Sequence, residues 1–288
     1  MLTSYLPVII IGAGRSGTNM LRDVLTRLPG CVTWPCDEIN YIWRHGNRDH
    51  PTDEFTPQMA SLPVKSFIRR SFDSLHESYG GTHVIEKTCA NSLRVGFVRE
   101  VLPDAYFIHL VRDGRDVVVS AAIRWTAPLD LPYVVKKARF VPLSDMPFYA
   151  SRYLINHAGR ILNGEKRLSF WGPRFIGLED MLGSKSLLEI CAHQWARCVT
   201  RAGDAFPGIS PERILELRYE DFVAEPFNLT SQITDFLSIR CDSDLVRYAV
   251  SSVSQKSVGN WRRQLSKQAI TKIAPILNPV LKKYHYED

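Results

Sequence analysis

The chain has 288 residues, 45% hydrophobic and 23% charged, a composition that excludes disordered, collagen-like and disulfide-stapled classes and leaves room for one substantial core. Its 36 Lys and Arg against 30 Asp and Glu give a formal charge of +6, which attracts anions; the cations are scattered and no helix-turn-helix, zinc-finger or RNA-binding signature occurs, so no nucleic-acid partner is expected. Six cysteines without a CxxC pair and eight histidines without HExxH spacing predict free thiols and no metal, and no apolar run is long enough to span a bilayer.

In chain order, Val8 to Ile11 is a short β-branched run that reads as a buried strand, followed by a Gly-rich turn and an amphipathic helix carrying Met20, Leu21, Val24, Leu25 and Leu28. The stretch from Cys31 to Val64 is polar and punctuated by proline, so it reads as a loop or lid with short helices. Ser66 to Tyr79 has a helical pattern, Thr82 to Glu86 reads as a strand, and Arg94 to Leu102 as a helix stopped by Pro103. Phe107 to Val111 is a second buried strand leading into a helix through Val117, Val118, Ser120 and Ala121. Thr126 to Gly177 is irregular. Leu187 to Phe206 and Glu225 to Leu237 read as helices. Strands alternating with helices predict an α/β, P-loop-like three-layer fold, a mostly parallel sheet flanked by helices, in one domain over 1–288. In such a fold ligands sit beyond the C-terminal strand ends.

The turn Gly12-Ala13-Gly14-Arg15-Ser16-Gly17-Thr18-Asn19 has the features of an anion cradle. Glycines let the backbone approach an anion, and a helix N-terminus offers unpaired N–H groups. Arg15, Ser16, Thr18 and Asn19 add side-chain donors. A Walker A loop would place Lys at Thr18 and a hydroxyl at Asn19, so an ATP-type kinase or NTPase lacks its two working groups here. The literal match of Gly12, Gly14 and Gly17 to GxGxxG keeps a dinucleotide-binding oxidoreductase open, with Asp37 or Glu38 as its acidic residue.

A second strand-to-helix junction, Leu110-Val111-Arg112-Asp113-Gly114-Arg115-Asp116 through Ser120, changes the balance. Together with the first loop it resembles the sulfotransferases that use 3′-phosphoadenosine-5′-phosphosulfate (PAPS), nearest in wording to the tyrosylprotein and bacterial branches. Downstream, Arg218-Tyr219-Glu220-Asp221-Phe222 resembles the family's [R/K]YEDF segment. Ser257-Val258-Gly259-Asn260-Trp261-Arg262 resembles its late Gly-x-Trp-[R/K] loop.

This resemblance implies a division of labour. Arg15 to Asn19, Gly17 included, would grip the 5′-phosphosulfate, and Arg112 and Ser120 the 3′-phosphate. Tyr219 would lie near the adenine, and Gly259, Trp261 and Arg262 would close over the nucleotide. Sulfuryl transfer, like phosphoryl transfer, asks the protein mainly to position groups and stabilise charge. Arg15 is the candidate for the leaving bridge oxygen and Lys87 for the sulfuryl group. Glu38 is the candidate general base, with Asp37 as rival. A carboxylate beside the apolar, Trp-rich stretch at Trp34 would be pushed toward neutrality, which suits a base. The co-substrate is PAPS, the product 3′,5′-ADP, and no metal is called for.

The variable segments, roughly 31–75 and 126–186, are expected to shape the acceptor pocket, and the acceptor to be a glycan or a small-molecule hydroxyl or amine. The family's Golgi members carry an anchor ahead of the first loop. Only Met1 to Pro7 stand there, so the expectation is a cytoplasmic, bacterial enzyme without a stable membrane anchor. A non-catalytic nucleotide binder is the remaining alternative, and the presence of both Glu38 and Lys87 argues against it.

Overall fold

The computed structural model describes residues 4–127, 139–151 and 171–286. Five parallel strands form one sheet in the order β2-β3-β1-β4-β5: β1 Leu6–Ile11, β2 Cys31–Val32, β3 His83–Lys87, β4 Tyr106–Val111 and β5 Ile214–Arg218. Helices α1 (Thr18–Leu25), α2 (Asn40–Trp43), α3 (Leu62–Tyr79), α4 (Val95–Val101) and α5 (Gly114–Thr126) lie between the strands or follow them. The expected α/β architecture is the one observed.

Alternation along β1 builds both faces of the sheet. Val8 and Ile10 pack with Leu21, Val24 and Leu25 of α1 and with Phe222 and Ile233, whereas Ile9 and Ile11 pack on the other side with Ile68 and Phe72 of α3 and Phe97 of α4. A second cluster on that side joins Val117, Val118 and Ala121 of α5 to the helix Leu187–Ala205 and the C-terminal helix Lys267–Lys283. All six cysteines are free. Among the described residues no helix is long and apolar enough to cross a membrane.

Because every strand is parallel, the loops after β1, β3, β4 and β5 all leave the same edge of the sheet. Topology therefore delivers Arg15, Lys87, Arg112 and Tyr219 to one rim, although up to 204 positions separate them, Arg15 being the first and Tyr219 the last. Of the segments expected to shape an acceptor pocket, 31–75 contains β2, α2 and most of α3. Within 126–186, residues 128–138 and 152–170 lie outside the described residues.

Several elements differ from the sequence reading. The helix expected from Ser66 starts at Leu62, with Pro63 in its first turn, where a missing N–H costs no hydrogen bond. The helix Lys267–Lys283 contains Pro275 and Pro279 and was not expected. Both prolines are exposed on one side, so the carbonyls they release four residues earlier face water, while Ile273, Leu277, Val280 and Leu281 bury the opposite stripe.

Candidate nucleotide and sulfuryl-transfer site

The first loop is shaped by its glycines and by one strained residue. A Cβ on Gly12 would meet Leu110 O at 2.8 Å, and one on Gly17 would lie 2.5 Å from the Tyr219 ring. Gly17 also takes φ +88, open to glycine at little cost. Arg15 takes φ +71, a left-handed conformation that costs a non-glycine residue about 1–2 kcal/mol. Such strain at a loop tip is characteristic of ligand clamps. The Gly12 N–H donates to Ser92 Oγ at 3.1 Å, which fixes the loop's base.

The loop's side chains divide. Arg15 and Asn19 are exposed at the rim. Ser16 is fully buried, and its Oγ makes no hydrogen bond. Thr18 is buried with Oγ1 3.7 Å from Cys89 Sγ. The side-chain donors expected from Ser16 and Thr18 are thus turned inward, and the Ser16 N–H is held within the turn by the Ala13 carbonyl at 3.1 Å.

The two strand-end cations converge. Arg15 Nε donates to Ser120 Oγ at 2.9 Å, while Arg112 donates to the Arg15 carbonyl at 3.2 Å and to the Ser257 carbonyl at 2.7 Å. The Arg112 guanidinium lies 4.4 Å over the Tyr219 ring, and the Tyr219 hydroxyl shares a 2.7 Å hydrogen bond with Ser257 Oγ. Arg112 is buried and its Nε has no hydrogen-bond partner. Desolvation, then the nearby positive charges of Arg124 and Arg112, lowers the Arg15 pKa. A site whose cations repel one another is set to receive an anion.

The late loop is held from below. Asp116, in the first turn of α5, accepts the Gly259 N–H at 2.7 Å and the Trp261 N–H at 2.8 Å. Trp261 is buried between the guanidinium groups of Arg115, 4.2 Å from its ring, and Arg262, 4.6 Å away. Arg115 also forms a close pair with Asp113, so it braces this corner. Asp116, Ser257 and Arg124 were not singled out by the sequence. An acidic residue at a helix start reads as a dipole partner. Nothing local says that its ligands are 143 and 145 positions away.

The third strand end brings Lys87 and Glu38 together. Lys87, 4% exposed, donates to Glu38 Oε1 at 3.1 Å, and the Cys89 N–H donates to the same oxygen at 3.3 Å. Burial disfavours the Lys87 charge, yet Glu38 and its neighbours outweigh it and hold the Lys87 pKa above the ordinary value. The apolar, Trp-rich setting expected for Glu38 does not surround its carboxylate, because Trp34 packs into the core against Phe72 and a cation sits in its place. Asp37 is paired with Arg22 at 3.3 Å, away from Lys87's partner oxygen. Among the described residues no group of three or more His, Cys, Asp or Glu could hold a metal ion.

The chain is similar to known proteins in sequence pattern and in fold. A family model described as the sulfotransferase family matches residues 7–158 and 176–243, most of the chain. Among solved structures, the sulfotransferase domain from the curacin biosynthetic pathway aligns with TM-score 0.54 and 14% identity over 96% of this chain and 99% of that one. Sulfotransferase STF9 from Mycobacterium avium aligns with TM-score 0.56 and 13% identity over 98% and 77%. Mouse sulfotransferase SULT7A1 complexed with PAP aligns with TM-score 0.50 and 13% identity over 96% and 85%. At these identities the likeness is one of fold. The search of curated proteins found no match.

Proposed function

Because the chain belongs to the sulfotransferase family, we propose that it is a PAPS-dependent enzyme. It moves a sulfuryl group to the hydroxyl or amine of a carbohydrate or small-molecule acceptor. The observation that carries this reading is the convergence of Arg15, Ser120 and Arg112, joined through the 2.9 Å and 3.2 Å contacts, at the rim where two strand-end loops meet. The residues fit the nucleotide: Arg112 Nε is a buried donor without a hydrogen-bond partner, and Gly12 and Gly17 leave no room for a Cβ against their neighbours, so the turn keeps its tight backbone path.

PAPS would supply an activated sulfuryl group, with 3′,5′-ADP (PAP) as the leaving product. Backbone N–H groups of the first loop, with Arg15, balance the charge that grows on the departing bridge oxygen. Arg112 and Ser120 hold the 3′-phosphate, charge-assisted bonds being the stronger kind. Tyr219, Gly259, Trp261 and Arg262 frame the adenosine end. Lys87 offers its ammonium to the sulfuryl oxygens, and Glu38, fixed beside it, takes the acceptor's proton as the new S–O or S–N bond forms and the bridge S–O bond breaks.

The test is a screen of carbohydrate, phenol and amine acceptors with sulfur-35 PAPS, wild type against Glu38→Gln. Label transfer by the wild type that falls at least about a hundredfold in the variant, with PAP affinity kept, supports the reading. Equal turnover removes Glu38 from the role, and no transfer or binding of PAPS removes the function.

A further inference from the structure

The loop that carries Glu38 is tethered immediately after it from a buried polar cluster at the end of β3. Glu86 is 1% exposed, and both of its carboxylate oxygens accept hydrogen bonds: Oε1 from the Thr88 hydroxyl at 2.5 Å and Oε2 from Asn91 Nδ2 at 2.8 Å. With its proton committed to Glu86, the Thr88 hydroxyl has only lone pairs left, and it accepts the Ile39 N–H at 3.2 Å. Asn91 Oδ1 accepts from Arg94 Nε at 2.8 Å, and Arg94 in turn donates to Asn40 Oδ1 at 2.5 Å. Thr88 is fully buried and Arg94 is 1% exposed. Two arms from one carboxylate thus reach positions 39 and 40, directly after the candidate base.

We propose that Thr88, oriented by Glu86, is a positioning residue that holds Glu38 against Lys87 through the Ile39 N–H, with Arg94 and Asn40 as the second arm. This rests on the reading of Glu38 as the base. Glu38 stands on no helix or strand, so its backbone has no ladder to fix it. A base displaced by about 1 Å loses much of its effectiveness. The strand end supplies the rigidity that the loop lacks: β3 lies inside the sheet between β2 and β1, and Glu86 is in register with Ile9. Lys87 and Glu86 are consecutive on that strand and point to opposite sides. One strand end thereby carries both the ammonium that meets Glu38 and the carboxylate that anchors its loop.

The experiment is amide hydrogen exchange of the segment 36–43, read together with sulfur-35 release from PAPS, on wild type, Thr88→Val, Thr88→Ser, Asn40→Ala and Glu38→Gln. Thr88→Val keeps the shape and removes the hydroxyl. It is expected to speed Ile39 exchange about tenfold and to lower kcat about tenfold, with the KM for PAPS unchanged. Thr88→Ser restores most of both. Should Thr88→Val not fold, Asn40→Ala carries the same expectation for the segment at a site nearer solvent. Unchanged Ile39 protection in Thr88→Val, or equal damage in Thr88→Ser, overturns the proposal. Loss of protection in Thr88→Val alongside full turnover in Glu38→Gln leaves the tether standing and removes the base, so the two failures are told apart.

Discussion

Asp116 and Trp261 stand 145 positions apart and are joined by a 2.8 Å hydrogen bond from the Trp261 N–H to Asp116 Oδ1. The second oxygen of the same carboxylate takes the Gly259 N–H at 2.7 Å. One buried side chain therefore fixes the whole late loop against the start of α5. An amide in its place accepts only one of the two bonds and leaves the other N–H facing a donor, at about 1–3 kcal/mol. Asp116→Asn is expected to weaken PAP binding about tenfold in calorimetry and to speed amide exchange over 257–261. Unaltered affinity would detach this loop from nucleotide binding.

Arg112 bonds to two backbone carbonyls and stacks over Tyr219, so it both ties the loops and presents charge. A charge-assisted contact to the 3′-phosphate is worth about 1.5–3 kcal/mol. Arg112→Ala should reduce affinity for PAP by about ten- to a hundredfold while changing that for 5′-AMP, which lacks the 3′-phosphate, far less. Parallel losses for the two nucleotides would mean that Arg112 only braces the fold.

The glycines of the first loop are not equivalent. Gly17→Ala meets both a left-handed backbone at φ +88 and the Tyr219 ring at 2.5 Å. Gly14→Ala meets only Trp171 at 3.1 Å, a ring edge that has to yield by a few tenths of an ångström. Thermal unfolding should place Gly17→Ala well below Gly14→Ala, with a backbone contribution alone of about 1–2 kcal/mol. Equal midpoints would contradict the tight seating of Tyr219 on the turn.

Burial drives the Glu86 carboxyl up to about 7, against the downward pull of the Thr88 hydrogen bond and of Lys87 and Arg94. In the unfolded chain the same group titrates near its ordinary 4.5. The folded state holds the proton more tightly, so this group's contribution to stability falls as pH rises from about 4.5 to about 7 and stays low above that. Glu86→Gln does not titrate. Relative to the wild type, its melting temperature should therefore improve between pH 5 and pH 8, measured by scanning calorimetry. A difference that stays flat across that window would show that Glu86 ionises as it does in water.

Much of this was legible in the chain, and the reasons are local. The strand–loop–helix unit at Val8 to Leu25 and the Val111-Arg112 junction follow from β-branched runs broken by glycine, and those signals need no partners. The convergence of Arg15 with Arg112 followed from parallel topology, once strands alternating with helices had been recognised. What escaped was non-local. Asp116 acts on backbone in a distant loop, Ser16 turns inward because the turn's own geometry directs it there, and Glu38 meets Lys87 rather than the tryptophan near it in sequence. The helix at Lys267–Lys283 escaped because two prolines argue against a helix until their exposed side is known.

The most direct measurement is a crystal structure with bound PAP. The account predicts the 5′-phosphate on the backbone N–H groups of the Gly12 to Asn19 turn beside Arg15, and the 3′-phosphate within hydrogen-bond distance of Arg112 and Ser120. A nucleotide with either phosphate seated elsewhere, or with Arg112 gaining no contact beyond the Arg15 and Ser257 carbonyls and Asp116, would contradict it.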